Sequence, residues 1–310
     1  MSHTRSCAAL LVLAATALGC GRLGPEVRTD AGAEDAASLD GSGADAGAGD
    51  AASLDGGGAD TGVGDTGVGD AGDTGMGTLP ITQRGTATTA DIATTSVTVA
   101  MPTGVVAGDV LIANLEQSGD SVTDPTSPGW TLISGVAVDA GGRLRRGAVL
   151  YRVAGASEPA DYRFTLGAAV IDGSVAILAF SGVDTTGGFL VGGGAGGPFD
   201  VAPGTVVAPM VNALTATAPS IATSSPNAAV VMLVQMMDGT PGAAYSGWTT
   251  TSPGALTEVL DFDGATSRES IGAAWALMAT PGSTGVGTVA LSDVMGAKKW
   301  GAILLALRPL

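Results

Sequence analysis

Ala229-Val-Val-Met-Leu-Val-Gln-Met-Met237 carries eight apolar side chains and one glutamine, and how it is read decides the fold. A run that is apolar on both sides fits a helix, a membrane segment or a strand covered on both faces. Length separates these readings. Nine residues cannot cross a bilayer as a helix, which needs about 20, and Pro226 and Gly239 bound a piece of strand size. Ala302–Leu307 reads the same way. Tyr162-Arg-Phe-Thr-Leu166 alternates instead, with Tyr162, Phe164 and Leu166 on one face and Arg163 and Thr165 on the other, as in a strand with one wet face.

Outward from these runs, the chain beyond Leu79 is a series of short Val-, Ile- and aromatic-rich segments cut by Gly, Pro, Asp and Ser. Strands are expected at Ile92–Ala100, Asp109–Gln117, Trp130–Val138, Arg145–Ala154, Tyr162–Leu166 and Val175–Ser181. A second set is expected at Ala216–Thr223, Ala229–Met237, Ala255–Phe262, Ser270–Met278, Val286–Leu291 and Gly301–Leu307. No segment combines a helical period with caps. The fold class expected is all-β, a jelly-roll-like β-sandwich over residues 79–310.

The two sets repeat each other. Asp109-Val-Leu-Ile-Ala-Asn-Leu115 followed by Pro128-Gly-Trp130-Thr parallels Ala229-Val-Val-Met-Leu-Val-Gln235 followed by Ser246-Gly-Trp248-Thr. Further on, Ala148–Ala154 and Val175–Phe180 parallel Gly272–Met278 and Ala302–Leu307. This reads as two diverged six-strand halves, about 90–185 and 212–310, neither able to stand alone and together sharing one core. The run Gly192–Gly197 between them lacks the lysine and following helix of a phosphate loop and is expected to be a flexible connection.

The pattern Pro102-Thr-Gly-Val-Val-Ala-Gly108-Asp109, Pro128-Gly-Trp130-Thr, Tyr151-Arg-Val-Ala154 and Phe180-Ser-Gly-Val-Asp184 resembles a module of bacterial exported and phage-associated proteins. It covers about 80 residues of the first half. The resemblance implies a β-sandwich surface domain and no particular chemistry.

Residue types limit the chemistry. Both cysteines, Cys7 and Cys20, and the single histidine, His3, lie in the first 20 residues. The rest of the chain therefore offers no Ser-His-Asp or Cys-His nucleophile, no thiolate or imidazole metal site and no disulfide. The formal charge of −16 contains no basic run, which argues against nucleic acid as a partner. What remains is carboxylate chemistry or binding. A polysaccharide hydrolase needs only two carboxylates at fixed separation, with Glu116, Glu258, Asp261, Asp263 and Glu269 as candidates. Asp261 and Asp263, two apart on one strand face, are also the candidates for a calcium site. Trp130 and Trp248 each follow a glycine, where an exposed indole would stack on a sugar in a lectin-like module; the competing reading puts both in the core.

At the other end of the chain, Arg5 precedes the apolar run Cys7–Leu18, which is too short for a membrane span and fits an export signal over 1–19. Ala17-Leu-Gly-Cys20 resembles the lipobox of bacterial lipoproteins. That implies acyl chains on Cys20, an anchor in the lipid bilayer and a bacterial envelope location; without aspartate after Cys20, the outer membrane is favoured. The competing reading is ordinary cleavage after Ala17, leaving Cys20 a thiol. From Gly21 to Thr78 twelve acidic residues face only Arg22 and Arg28, and aspartate recurs every five positions from Asp30 to Asp70. A segment with so few large apolar side chains cannot offset the entropy of ordering and is expected to be a disordered spacer. The function expected is a tethered, non-catalytic envelope lipoprotein with a structural or binding role toward a glycan or an envelope protein. The hydrolase and the lectin-like module are the alternatives.

Overall fold

Every residue of the strand Ala228–Met237 is buried, in the middle of a sheet covered on both faces. The computed structural model describes residues 79–140, 143–209, 212–237, 244–264, 269–292 and 298–310, all within one unit, Gly69–Leu310. The export signal, Cys20 and the spacer expected over 20–78 lie outside the described residues.

The first half contains β1 (Thr82–Gln83), β2 (Thr88–Ile92), β3 (Ser96–Ala100), β4 (Val110–Ser121), β5 (Thr131–Ala140), β6 (Arg143–Val153), β7 (Asp161–Thr165) and β8 (Ala169–Ser181). A hairpin of β9 (Gly188–Phe189) and β10 (Ala195–Gly197) follows. The second half contains β11 (Thr215–Ala218), β12 (Ala222–Thr223), β13 (Ala228–Met237), β14 (Ala244–Thr249), β15 (Thr257–Asp263), β16 (Ser270–Met278), β17 (Gly282–Ser283), β18 (Gly287–Ser292) and β19 (Lys299–Leu307). The fold is all-β, as expected.

Each half is a sandwich, and the two have the same strand order. The first has a large sheet β8-β4-β6-β5, with β1 and β2 also on β8, and a small outer sheet of β3 and β7. The second has β19-β13-β16-β15 and an outer sheet β11-β18-β14. Even the isolated bridges correspond: Thr126 joins β7 where β14 joins β18, and Phe199 and Val207 join β19 where β1 and β2 join β8.

The two large sheets pack face to face, which gives four layers and three cores. Alternation along β4 distributes the side chains. Leu111, Ala113 and Leu115 point to the first outer sheet and meet Trp130, Tyr162 and Phe164. Val110 and Ile112 point the other way, into a core shared with Val231, Leu233, Ile271, Ile303 and Leu305 of the second half. The third core, with Met232, Trp248 and Leu304, belongs to the second half alone. The expected single core is therefore one of three. Burial on both faces is why β4 and β13 read as unbroken apolar runs.

Three expectations change in detail. Ile92–Ala100 is two strands, because the chain leaves the large sheet after Ile92 and enters the outer sheet at Ser96. Ala216–Thr223 is also two, interrupted at Pro219, which has no N–H for the ladder. The glycine-rich run expected as a flexible connection closes the β9–β10 hairpin, with Gly192 and Gly193 at φ 86° and 91°, values that favour glycine.

Candidate functional site

One end of the shared core is apolar and the other is polar. At the apolar end Phe180 meets Trp275 edge-on at 5.5 Å between ring centres, and Tyr151 meets Phe199 at 4.9 Å. Further along β4 the inward positions become Asn114 and then Glu116, both fully buried. Asn114 Nδ2 donates to the carbonyls of Val234 and Gly272, each at 3.1 Å, and its Oδ1 accepts from Gln235 Nε2 at 2.6 Å. One side chain of the first half thereby ties two strands of the second.

Beyond it lies the only cluster of charged groups that the described residues bury between the halves. Glu116 and Glu269 have no exposure, and Arg145 has 4%. Arg145 Nη1 is 3.4 Å from Glu269 Oε1, and Ser174 Oγ donates to the Glu269 carbonyl at 2.6 Å. Asp172, hydrogen-bonded to Ser118, closes the cluster from β8. Burial pushes the Glu116 carboxyl well above the usual glutamate range. The facing Glu269 carboxylate adds to the rise, and Arg145 offsets part of it.

The register gives this cluster a plan. Ile112 lies opposite Tyr151 and Leu178, while Val231 lies opposite Trp275 and Leu305. Carrying that correspondence along the strands makes Glu116 the counterpart of Gln235, and Arg145 the counterpart of Glu269. Arg145 and Glu269 thus contact one another from equivalent positions, as residues beside the axis of a two-fold interface must. Two identical halves would set like charges there; diverged halves set Arg against Glu.

Backbone without side chains makes room for these groups. A Cβ on Gly301 would lie 2.6 Å from Gln235 Oε1 and 3.1 Å from Val206 Cγ1, and one on Gly147 would lie 2.8 Å from Gln235 Oε1. Gly301→Ala should cost about 1–3 kcal/mol by overpacking, measured by urea unfolding. Gly204→Ala, with nothing within 4 Å of the added carbon, serves as control; equal costs would remove the packing argument.

The residues singled out from the sequence are placed elsewhere. Trp130 has 9% exposure and Trp248 has 4%. Trp130 packs on Tyr162 and Phe164, with ring centres at 5.2 and 5.3 Å, and Trp248 Nε1 donates to Glu258 Oε2 at 2.6 Å. Neither indole presents a face to a sugar, so the sugar-stacking expectation is corrected: both rings seal the ends of cores.

Asp261 and Asp263 share a strand face as expected, but it is the face toward β14, where Asp261 Oδ2 accepts from the Tyr245 N–H at 3.3 Å. Glu269 and Glu116 lie on the opposite side of the same sheet. The five candidate carboxylates therefore do not converge. Burial, with help from Glu258 and Asp263, raises the Asp261 pKa. Among the described residues no three His, Cys, Asp or Glu side chains are grouped to hold a metal ion.

Arg145, Asn114 and Gln235 were not anticipated as a group. The available signal was a polar residue at alternate positions of runs otherwise apolar on both faces. Comparison with known protein families, curated proteins and solved structures finds no match for this chain.

Proposed function

We propose that the chain is a membrane-tethered envelope lipoprotein, anchored through acyl chains on Cys20. It carries a non-catalytic, four-layer β body on an acidic spacer, in a structural or binding role. The observation that carries this reading is where the reactive groups lie. The carboxylates best placed to act together, Glu116 and Glu269, are fully buried between the halves, Glu269 beside Arg145 of the first half. A hydrolase needs its pair open to substrate, and a sugar-stacking module needs an exposed ring; the positions of these residues favour neither. Partners under this reading are the bilayer and a protein or glycan of the envelope, with no bound cofactor.

Cys20→Ala tests the tether. The wild-type chain expressed in a bacterium should incorporate labelled palmitate and sediment with the outer membrane. The variant should take up no label and be recovered in the soluble fraction with its β-sheet circular dichroism intact. Palmitate-free wild type, or a variant that stays with the membrane, would show the anchor to be wrong.

A further inference from the structure

The outer sheets of the two halves differ in one respect. In the second half β14 lies along β18, setting Ser246 opposite Ala290 and Thr249 opposite Thr288. In the first half Thr126 reaches β7 at Thr165, and among the described residues no further backbone pairs with β7 on that side. Matching Pro128-Gly-Trp130 to Ser246-Gly-Trp248 explains why. Pro128 stands where Ser246 does and has no N–H to donate, and its carbonyl accepts from Arg152 Nη1 at 3.0 Å. The chain then enters β5 at Thr131, without the extra segment that takes β14 on to Thr249.

Hydrogen-bond alternation says what the open edge offers. Thr165 exchanges both its bonds with Thr126, at 2.9 and 2.8 Å, and Leu166 N–H donates to Thr95 on the β3 side at 2.9 Å. In an antiparallel ladder the bonding side alternates with each residue. Tyr162 and Phe164 therefore bond to β3, opposite Val99 and Val97, while the N–H and C=O of Asp161 and Arg163 point out of the sheet edge. A cleft of about 450 Å³, bounded by Ser127, Pro128, Pro159, Asp161 and Arg163, lies beside them. The side chains of Asp161 and Arg163 are exposed, and that of Tyr162 is buried.

We propose that this edge pairs with the same edge of a second copy of the chain, antiparallel, about a two-fold axis at Tyr162. An unpaired edge selects an occupant with extended backbone, and the charges select which one. A strand antiparallel to β7 meets Arg163 with one residue and Asp161 with the residue two further on. Opposite charges directly across a ladder are favourable and like charges are not, so the occupant reads acidic, any, basic. Asp161-Tyr162-Arg163 reads that way. With Tyr162 opposite its own copy, Asp161 of each chain faces Arg163 of the other, and each of these rungs exchanges both N–H···O bonds. The pairing stops there, because Thr126 occupies the next outward-facing position, Thr165. The chain bends at Ala160, which takes the second copy's backbone off the line at that point. A contact this small is of the weak, transient kind: it forms at high protein concentration and leaves unfolding at low concentration unaffected. It concerns the body alone and does not depend on the anchor.

The test uses the full chain with Cys20→Ala in reducing buffer, so that neither acyl chains nor a disulfide joins copies. In sedimentation equilibrium from micromolar to millimolar protein, the mass should rise from monomer toward dimer. Asp161→Arg and Arg163→Asp each set like charges across the axis and should stay monomeric, while the double variant D161R/R163D should dimerise as the chain without them does. Circular dichroism should be the same in all four. Amide hydrogen exchange identifies the edge. The Asp161 and Arg163 N–H groups should exchange freely in dilute protein and become protected in proportion to the dimer, with Tyr162 and Phe164 protected at both concentrations. Single variants that associate undiminished, a double variant that does not associate, or a dimer without protection at Asp161 and Arg163 would each overturn the pairing. A chain that stays monomeric throughout would overturn it too, and would leave the edge to an extended segment of another protein.

Discussion

Arg145→Ala should destabilise the body by about 3–5 kcal/mol at pH 7, the usual cost of removing one partner from a buried ion pair. The size follows from what is left behind. Arg145 is 4% exposed and lies 3.4 Å from the fully buried Glu269, and truncation takes this guanidinium away from a carboxylate in the interior. Adding Glu269→Gln should recover part of the loss, because it removes the charge that the first change strands. Arg163→Ala provides the surface comparison. Its guanidinium is exposed and donates to Ser96 Oγ at 3.0 Å, so it should change stability by no more than about 0.5 kcal/mol. Urea unfolding followed by circular dichroism, with unchanged slope, measures all three. An Arg145 loss as small as that of Arg163 would mean that the cluster reorganises or takes up water and does not hold the halves together.

How much of this was legible in the sequence depends on what each strand must satisfy. Tyr162–Leu166 has one wet face, and its alternation specified its orientation correctly: Tyr162 and Phe164 are buried and Arg163 is exposed. Ala229–Met237 has none. A strand apolar on both sides announces that it is covered twice but gives no sign of which residues face which core. The repeat was visible in composition, yet pairing Asp109 with Ala229 put it one residue out of register in β4 and β13. The ladders set Ile112 against Val231, and a one-residue shift exchanges the two faces of a strand. Only Tyr151 with Trp275, and Phe180 with Leu307, were distinctive enough to align without the structure. The same ambiguity hid the charged cluster. Arg145 and Glu269 lie 124 positions apart, and each reads alone as a surface residue near a turn. Glu116 was visible as a candidate, but its meaning depended on knowing that the second large sheet covers it.

Phe180→Ala tests the architecture where no charge is involved, and should cost about 3–5 kcal/mol, the range for removing a buried phenylalanine. For a body of this size that lowers the midpoint of thermal unfolding by roughly 6–20 °C. Phe180 has no exposure and stands on the last rungs of β8, between the first large sheet and Trp275 of the second. Phe164→Ala, in the core that belongs to the first half alone, should cost a similar amount. The two variants separate on where the damage is felt. Removing Phe180 takes away the ring against Trp275, so the emission of that tryptophan should change while β3 and β7 keep their amide protection. Removing Phe164 should perturb Trp130 instead, whose ring lies 5.3 Å from it. Both should still unfold in a single transition, because β4 supplies side chains to the shared core and to the first half's own core, and β13 does the same for the second. Neither core can then dissolve without breaking a strand that the neighbouring core requires. Two separated transitions in the Phe180 variant would mean that each half is a folding unit in itself and that the shared core joins two already stable sandwiches.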